Sequence, residues 1–264
     1  MILRYIFFWL FALGCIELGF SQSALVQDTI IFSEGYEMIA PLKVLNDNSS
    51  YTYFEQANIQ YAKGEIGTAL SFVNKALKED PNNKDYLVLK SYILIEAGKY
   101  GDAVAVAEKA VSLSPDDWRA LYCRGFCKYA KRDFLGAVVD YTSVIALKPE
   151  NHLAYYGRAM AKLELNDFFS AKEDFNLCIM IKPTYIEAYY GRGMSYYKTQ
   201  NYADAEKDFT SLIVKNNSNG EAYYYRGLCK IAQNNQTSGC LDLEKAQNFG
   251  YSQAAIELKK NCGK

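Results

Sequence analysis

Residues 118–151 read WRALYCRGFCKYAKRDFLGAVVDYTSVIALKPEN and hold one full copy of a pattern that recurs through the chain. Two apolar runs flank the polar turn Lys131-Arg132-Asp133, and Pro149 closes the stretch. The closing proline stands at Pro81, Pro115, Pro149 and Pro183, 34 residues apart, and a small residue in the second run stands at Ala69, Ala103, Ala137, Ala171 and Ala205. A fixed period of this length marks stacked supersecondary units, each unable to bury its apolar face alone. The runs predict one helix over 118–130 and a second over 134–147, the latter stopped by a proline that cannot donate a backbone hydrogen bond.

Working outward, the same two-helix unit starts at Ser50, Lys84, Trp118, His152, Ile186 and Gly220. Gly125, Ala159, Gly193 and Gly227 recur in the first helix, where small side chains let antiparallel helices approach closely, while Phe134, Phe168 and Tyr202 fill the space near the turn. The sixth unit departs most, with Asn217 where the fifth unit's closing proline is due and Gly239-Cys240 inside its second helix. Residues 252–264 predict a short helix that caps the stack, whose last apolar face otherwise meets water.

These residues carry a resemblance. The period, the order of glycine or alanine, aromatic, alanine, aromatic and proline, and phrases such as AYYGRGMSYYKTQNYADAEKDF resemble tetratricopeptide repeats over 50–251, and the closing segment resembles that of exported bacterial members. The resemblance implies an all-α, right-handed superhelical solenoid of six antiparallel helix pairs with a C-terminal capping helix. It also implies a concave groove lined by the first helices, in which a partner segment lies.

The 264 residues are half hydrophobic, with a formal net charge of −1, and neither a basic stripe nor a like-charge run suggests nucleic acid or an acidic membrane surface as partner. The N-terminus places Arg4 before an apolar run and the small-x-small pattern Gly19-Phe20-Ser21, which predicts a cleaved signal peptide over 1–21 and a tether over 22–49. A retained anchor and lipid attachment at Cys15 are the competing readings; Glu17 opposes the first. Export predicts a periplasmic, envelope or secreted address, no membrane span after cleavage and an oxidising compartment.

Arginine recurs at Arg124, Arg158, Arg192 and Arg226, and aspartate at Asp140, Asp174, Asp208 and Asp242, whereas the first two units lack both. Columns that appear and vanish together predict contact, since Arg124 and Asp140 are equidistant from the turn. Lys128, Lys162 and Lys230 follow their arginines by four residues, a repulsive spacing on a helix unless an acid intervenes. An inter-helix ion pair competes here with an anion-binding track.

A second column is Tyr122, Tyr156, Tyr190 and Tyr224, on one helical face with Phe126, Met160 and Met194 and with Tyr129 and Tyr197. The resemblance puts this face in the groove, where it would bind a protein segment; packing between units is the competing assignment. The groove position lacks the lysine, arginine and asparagine set of the family's carboxylate clamps, carrying Asn58, Arg119 and Lys198 among apolar and acidic residues.

Of the cysteines past the leader, Cys240 and Cys262 lie nearly symmetrically about Gly250 and would meet if the cap folds back, with Cys229 to Cys240 the competing bridge. Cys123 and Cys127 lack companion ligands for zinc, and one histidine, His152, serves no catalytic set. No metal, no cofactor and no enzymatic activity is therefore expected. The reading is a non-catalytic scaffold of the bacterial envelope, with a peptidoglycan-binding module and a self-associating spacer as the alternatives.

Overall fold

A computed structural model describes residues 49–263. The signal peptide, Cys15 and all of the tether except Ser49 lie outside the described residues. Among the described residues the chain is entirely helical, with six helix pairs and a final helix. The pairs are α1 (Ser49–Ala62) with α2 (Ile66–Glu79), α3 (Lys84–Glu96) with α4 (Tyr100–Leu113), and α5 (Trp118–Ala130) with α6 (Phe134–Leu147). They continue as α7 (His152–Glu164) with α8 (Phe168–Ile181), α9 (Ile186–Lys198) with α10 (Tyr202–Lys215), and α11 (Gly220–Ala232) with α12 (Gln236–Asn248), before α13 (Gln253–Cys262).

One residue conformation makes every pair reverse. Gly64, Gly98, Arg132, Asn166, Gln200 and Asn234 all have positive φ, two residues past the end of a first helix. The backbone N–H of Arg132 donates to the carbonyl of Tyr129 and that of Asp133 to the carbonyl of Lys128, both at 2.8 Å, which satisfies carbonyls the helix end would leave bare. Asp133 and Asp167 then accept from Gly136 and Ser170 N–H groups, opening α6 and α8.

The described residues divide into two compact units, one ending at Gly157 and the other beginning at Arg158, the division falling inside α7. In the first unit, Phe54, Val73, Tyr86, Leu89 and Ile93 pack around the small residues Ala57, Ala69 and Ala76, with the rings of Phe54 and Tyr86 stacked at 4.7 Å. In the second, Tyr190, Met194, Phe209, Leu212, Tyr225 and Cys229 form the core around Ala205 and Ala222. Gly193 sits where a Cβ would come 3.2 Å from both Asp208 Cβ and the Phe209 ring, so α9 and α10 cross with almost no gap.

Helix α13 buries Ala254 and Leu258 and is joined to α12 by the disulfide Cys240–Cys262, across the turn at Gly250. On the chain-entropy account such a closed loop contributes roughly 3 kcal/mol. Cys229 is a buried free thiol, so the competing bridge is not formed.

Candidate functional site

The charged columns meet inside the stack. The Nε and Nη2 groups of Arg124 donate to Asp140 at 2.9 and 2.5 Å, those of Arg158 to Asp174 at 2.9 and 2.6 Å, those of Arg192 to Asp208 at 2.9 and 2.6 Å, and those of Arg226 to Asp242 at 2.8 and 2.8 Å. Each is the bidentate fork that a planar guanidinium makes with a carboxylate. Lys128, Lys162 and Lys230 add a second cation at 2.9, 2.7 and 2.7 Å, so the like charges four apart share one acid. The arginines also reach back one repeat, where Nη1 of Arg192 donates to Asn176 and Nη1 of Arg226 to Thr210. Sequence reading missed that third partner; its signal is a polar residue on the period at Asn176 and Thr210. With all four forks closed on carboxylates, and with Arg192 and Arg226 each tying its own helix to two others, these arginines are staples and not an anion track.

The fifth repeat lacks the lysine, carrying Tyr196 in its place, and the difference appears in the acids. Burial pushes Asp208 above the ordinary carboxyl value because Arg192 alone does not offset it. Asp242 feels the same burial, but the bonds from Arg226 and Lys230 outweigh it and hold the group below that value. The folded state thus keeps a proton on Asp208 to higher pH than the unfolded chain, and Asp208 adds stability as pH falls toward the ordinary value. Asp242 does the opposite: its contribution is present above the ordinary value and is lost as pH falls through its depressed pKa. Tyr196→Lys is expected to move the Asp208 titration below the ordinary value, read by carbon NMR of the carboxyl. It should stabilise the chain at neutral pH by about 1 kcal/mol, net of the lost contact between Lys172 and the Tyr196 ring.

The tyrosine column is a correction. Tyr122, Tyr156 and Tyr190 are 1%, 2% and 4% exposed, and Phe126 and Met194 are buried with them, so none presents contact area to a partner. Tyr122 packs on Tyr141 at 5.4 Å between ring centroids, Phe126 on Tyr92 at 6.0 Å and Tyr190 edge-on to Phe209 at 6.5 Å. The Tyr190 hydroxyl donates to buried Glu221 at 2.8 Å, an acid of the following repeat. Heptad-like spacing identifies a face but not what lies across from it, and here the face packs on the second helix of its own repeat at Tyr141 and Phe209, on Tyr92 of the preceding repeat and on Glu221 of the following one. Tyr129, Met160, Tyr197 and Tyr224 remain half-buried and keep part of their surface in reach.

Two profiles of the tetratricopeptide repeat match the chain, one over residues 190–239 and the other over 85–117 and 152–185. The chain carries tetratricopeptide repeats. A tetratricopeptide-repeat protein from Parabacteroides merdae ATCC 43184 is similar in structure at a TM-score of 0.59 and 21% identity, over 89% of this chain and 95% of that one. PilW, a widely conserved type IV pilus biogenesis factor, aligns at 0.73 and 15% over 81% and 99%. YrrB, a tetratricopeptide protein with an unusual peptide-binding site, aligns at 0.61 and 18% over 71% and 97%. At these identities the likeness is one of fold. No curated protein matches the chain.

Tetratricopeptide repeats are generally non-catalytic scaffolds that bind peptides and proteins. The large exposed apolar side chains are carried mostly by second helices: Leu135 and Val139 on α6, Phe169 and Met180 on α8, Val214 on α10 and Leu241 on α12. Phe169 and Met180, 70% and 75% exposed, lie on one face of α8. Sequence reading passed over this face because apolar residues at helical spacing read as core. Cys123, Cys127, Cys178 and Cys229 are buried thiols; burial first, then the neighbouring Cys123, raises the Cys127 pKa and keeps it protonated, which makes it a poor nucleophile. No helix among the described residues is long and apolar enough to cross a membrane.

Proposed function

We propose that the chain is a non-catalytic scaffold of the bacterial cell envelope that holds a segment of another protein against its tetratricopeptide repeats. One observation carries the reading. The periodic arginines and aspartates are engaged with one another, so what recurs within reach of a partner in the second unit is aromatic and apolar: Met160, Tyr197 and Tyr224 on the first helices. Such side chains bury area on binding at low cost in conformational entropy. Export is supported by the N-terminal pattern and by the Cys240–Cys262 disulfide, a bond that persists in oxidising compartments. That PilW is a pilus biogenesis factor and that YrrB has a peptide-binding site are in keeping with this reading.

The test is photocrosslinking in the native cell from position 197, with buried position 190 as the control. A discrete polypeptide captured from 197 and not from 190, and competed by that polypeptide's own purified segment, is the expected result. Adducts to peptidoglycan fragments would instead favour the glycan-binding alternative. The exposed Phe169 and Met180 favour one second reading, a spacer that self-associates. Sedimentation separates it, since a concentration-dependent dimer abolished by Phe169→Asp, with no polypeptide captured from 197, replaces the scaffold reading.

A further inference from the structure

The last seam of the stack breaks the rule that the preceding one obeys. In the fifth repeat the Tyr190 hydroxyl donates to Glu221, the second residue of the next first helix, α11. One repeat later the equivalent tyrosine is Tyr224, and the second residue of the next helix to pack there, α13, is Ala254. A methyl group accepts no hydrogen bond. Tyr224 is accordingly only half-buried, whereas Tyr190 is buried, and among the described residues its hydroxyl makes no hydrogen bond.

Two more half-buried rings, Tyr197 and Tyr251, and the buried ring of Tyr225 gather around it. The Tyr251 centroid lies 4.8 Å from that of Tyr224, Tyr225 stands edge-on to Tyr224 at 5.2 Å, and Tyr197 stands edge-on to Tyr225 at 5.5 Å. Helix α13 packs into the same cluster through Ala254 and carries Glu257 one turn further on. Burial first, then the other phenol and this carboxylate among the neighbouring charges, pushes Tyr197 up to about 12; burial and the same carboxylate raise Tyr224. The Glu257 side chain is 20% exposed and accepts from Asn261 at 2.7 Å; it pairs with Lys260 at 3.9 Å, a side chain 70% exposed on the same helix. A surface pair of that length contributes little and yields readily to a better-placed cation. Lys198, next to Tyr197, is exposed.

We propose that Tyr197, Tyr224, Tyr251 and Glu257 form a subsite for the lysine or arginine side chain of a partner polypeptide. Ring faces attract a cation through their quadrupoles, the carboxylate adds a charge partner, and the unengaged Tyr224 hydroxyl can accept an N–H. The disulfide at Cys262, five residues past Glu257, ties the helix that carries this carboxylate to α12. This inference rests on the scaffold reading and names one chemical feature of the partner.

Matched short peptides that differ at one central residue, arginine, lysine, glutamine or glutamate, test it by titration into the oxidised protein with carbon-labelled tyrosine. The arginine and lysine peptides are expected to bind about tenfold tighter than the glutamine peptide and to shift Tyr197, Tyr224 and Tyr251, with the glutamate peptide weakest. Glu257→Gln should cut the preference severalfold, since the charge partner is lost while the ring faces remain, with folding checked by circular dichroism. Equal binding of the arginine and glutamine peptides, or a preference undiminished by Glu257→Gln, overturns the subsite and leaves the scaffold reading standing. If no peptide of the series binds, the subsite falls too, and the crosslink from position 197 decides the scaffold reading separately.

Discussion

Asp174→Ala is expected to destabilise the chain by about 3 to 5 kcal/mol, because it removes the acid that Arg158 and Lys162 share. The carboxylate is buried, 2.6 Å from one guanidinium nitrogen and 2.7 Å from the ammonium. Its loss leaves two cations, each more than three-quarters buried, facing each other with the acid gone. The desolvation cost of both then stands without the attraction that offset it. Thermal unfolding followed by circular dichroism should show the midpoint fall by roughly 10 °C. The triple variant Arg158→Met, Lys162→Met, Asp174→Leu should recover most of that loss, since packed apolar groups replace a buried ion cluster at little net cost. An unchanged midpoint in Asp174→Ala would mean that the cluster contributes nothing. A single substitution at Asp174 should leave the Tyr197–Tyr224 surface intact, because repeats interact chiefly with their neighbours and Asp174 lies in the repeat before that of Tyr197.

The ion cluster was legible because two columns rise and fall together inside one chain: units that carry Phe72 or Val106 in place of the acid also lack the arginine. The helix bounds were legible for a related reason, since the closing prolines and the polar turns punctuate every period. The tyrosine column was not. Tyr122, Tyr190 and Tyr224 stand at the same repeat position, each two residues before an Arg-Gly pair, yet two are buried and one is half-open. The difference at Tyr224 lies in the helix that packs beyond it, α13 with Ala254 in the place of Glu221, and no local pattern around Tyr224 encodes that. The turns show another limit: Gly64 and Gly98 announce a left-handed residue, whereas Arg132 and Gln200 adopt the same conformation unannounced, at a cost set by tertiary packing.

Gly191 and Phe175 show how closely that packing is drawn, and they carry the second large effect. A Cβ at Gly191 would lie 2.7 Å from Cε2 of the Phe175 ring and closer still to Cε1 and Cζ, and Phe175, on α8 of the preceding repeat, is 0% exposed. The same arrangement recurs in the first unit, where a Cβ at Gly157 would lie 2.8 Å from two atoms of the Tyr141 ring. Gly191→Ala gains about 1 kcal/mol of helix propensity but must displace a ring with no room to yield, so it should destabilise by roughly 2 kcal/mol net. Phe175→Ala should cost about 3 to 5 kcal/mol through lost burial and the cavity left behind. With the ring gone the steric objection to alanine disappears, and adding Gly191→Ala to Phe175→Ala should restore about 1 kcal/mol. The sign of the Gly191→Ala effect therefore reverses between the two backgrounds, a coupling of about 3 kcal/mol in a urea-unfolding cycle. Additive effects would show that the glycine is kept for its backbone freedom, which its helical position in α9 does not require, and not for the ring pressed against it.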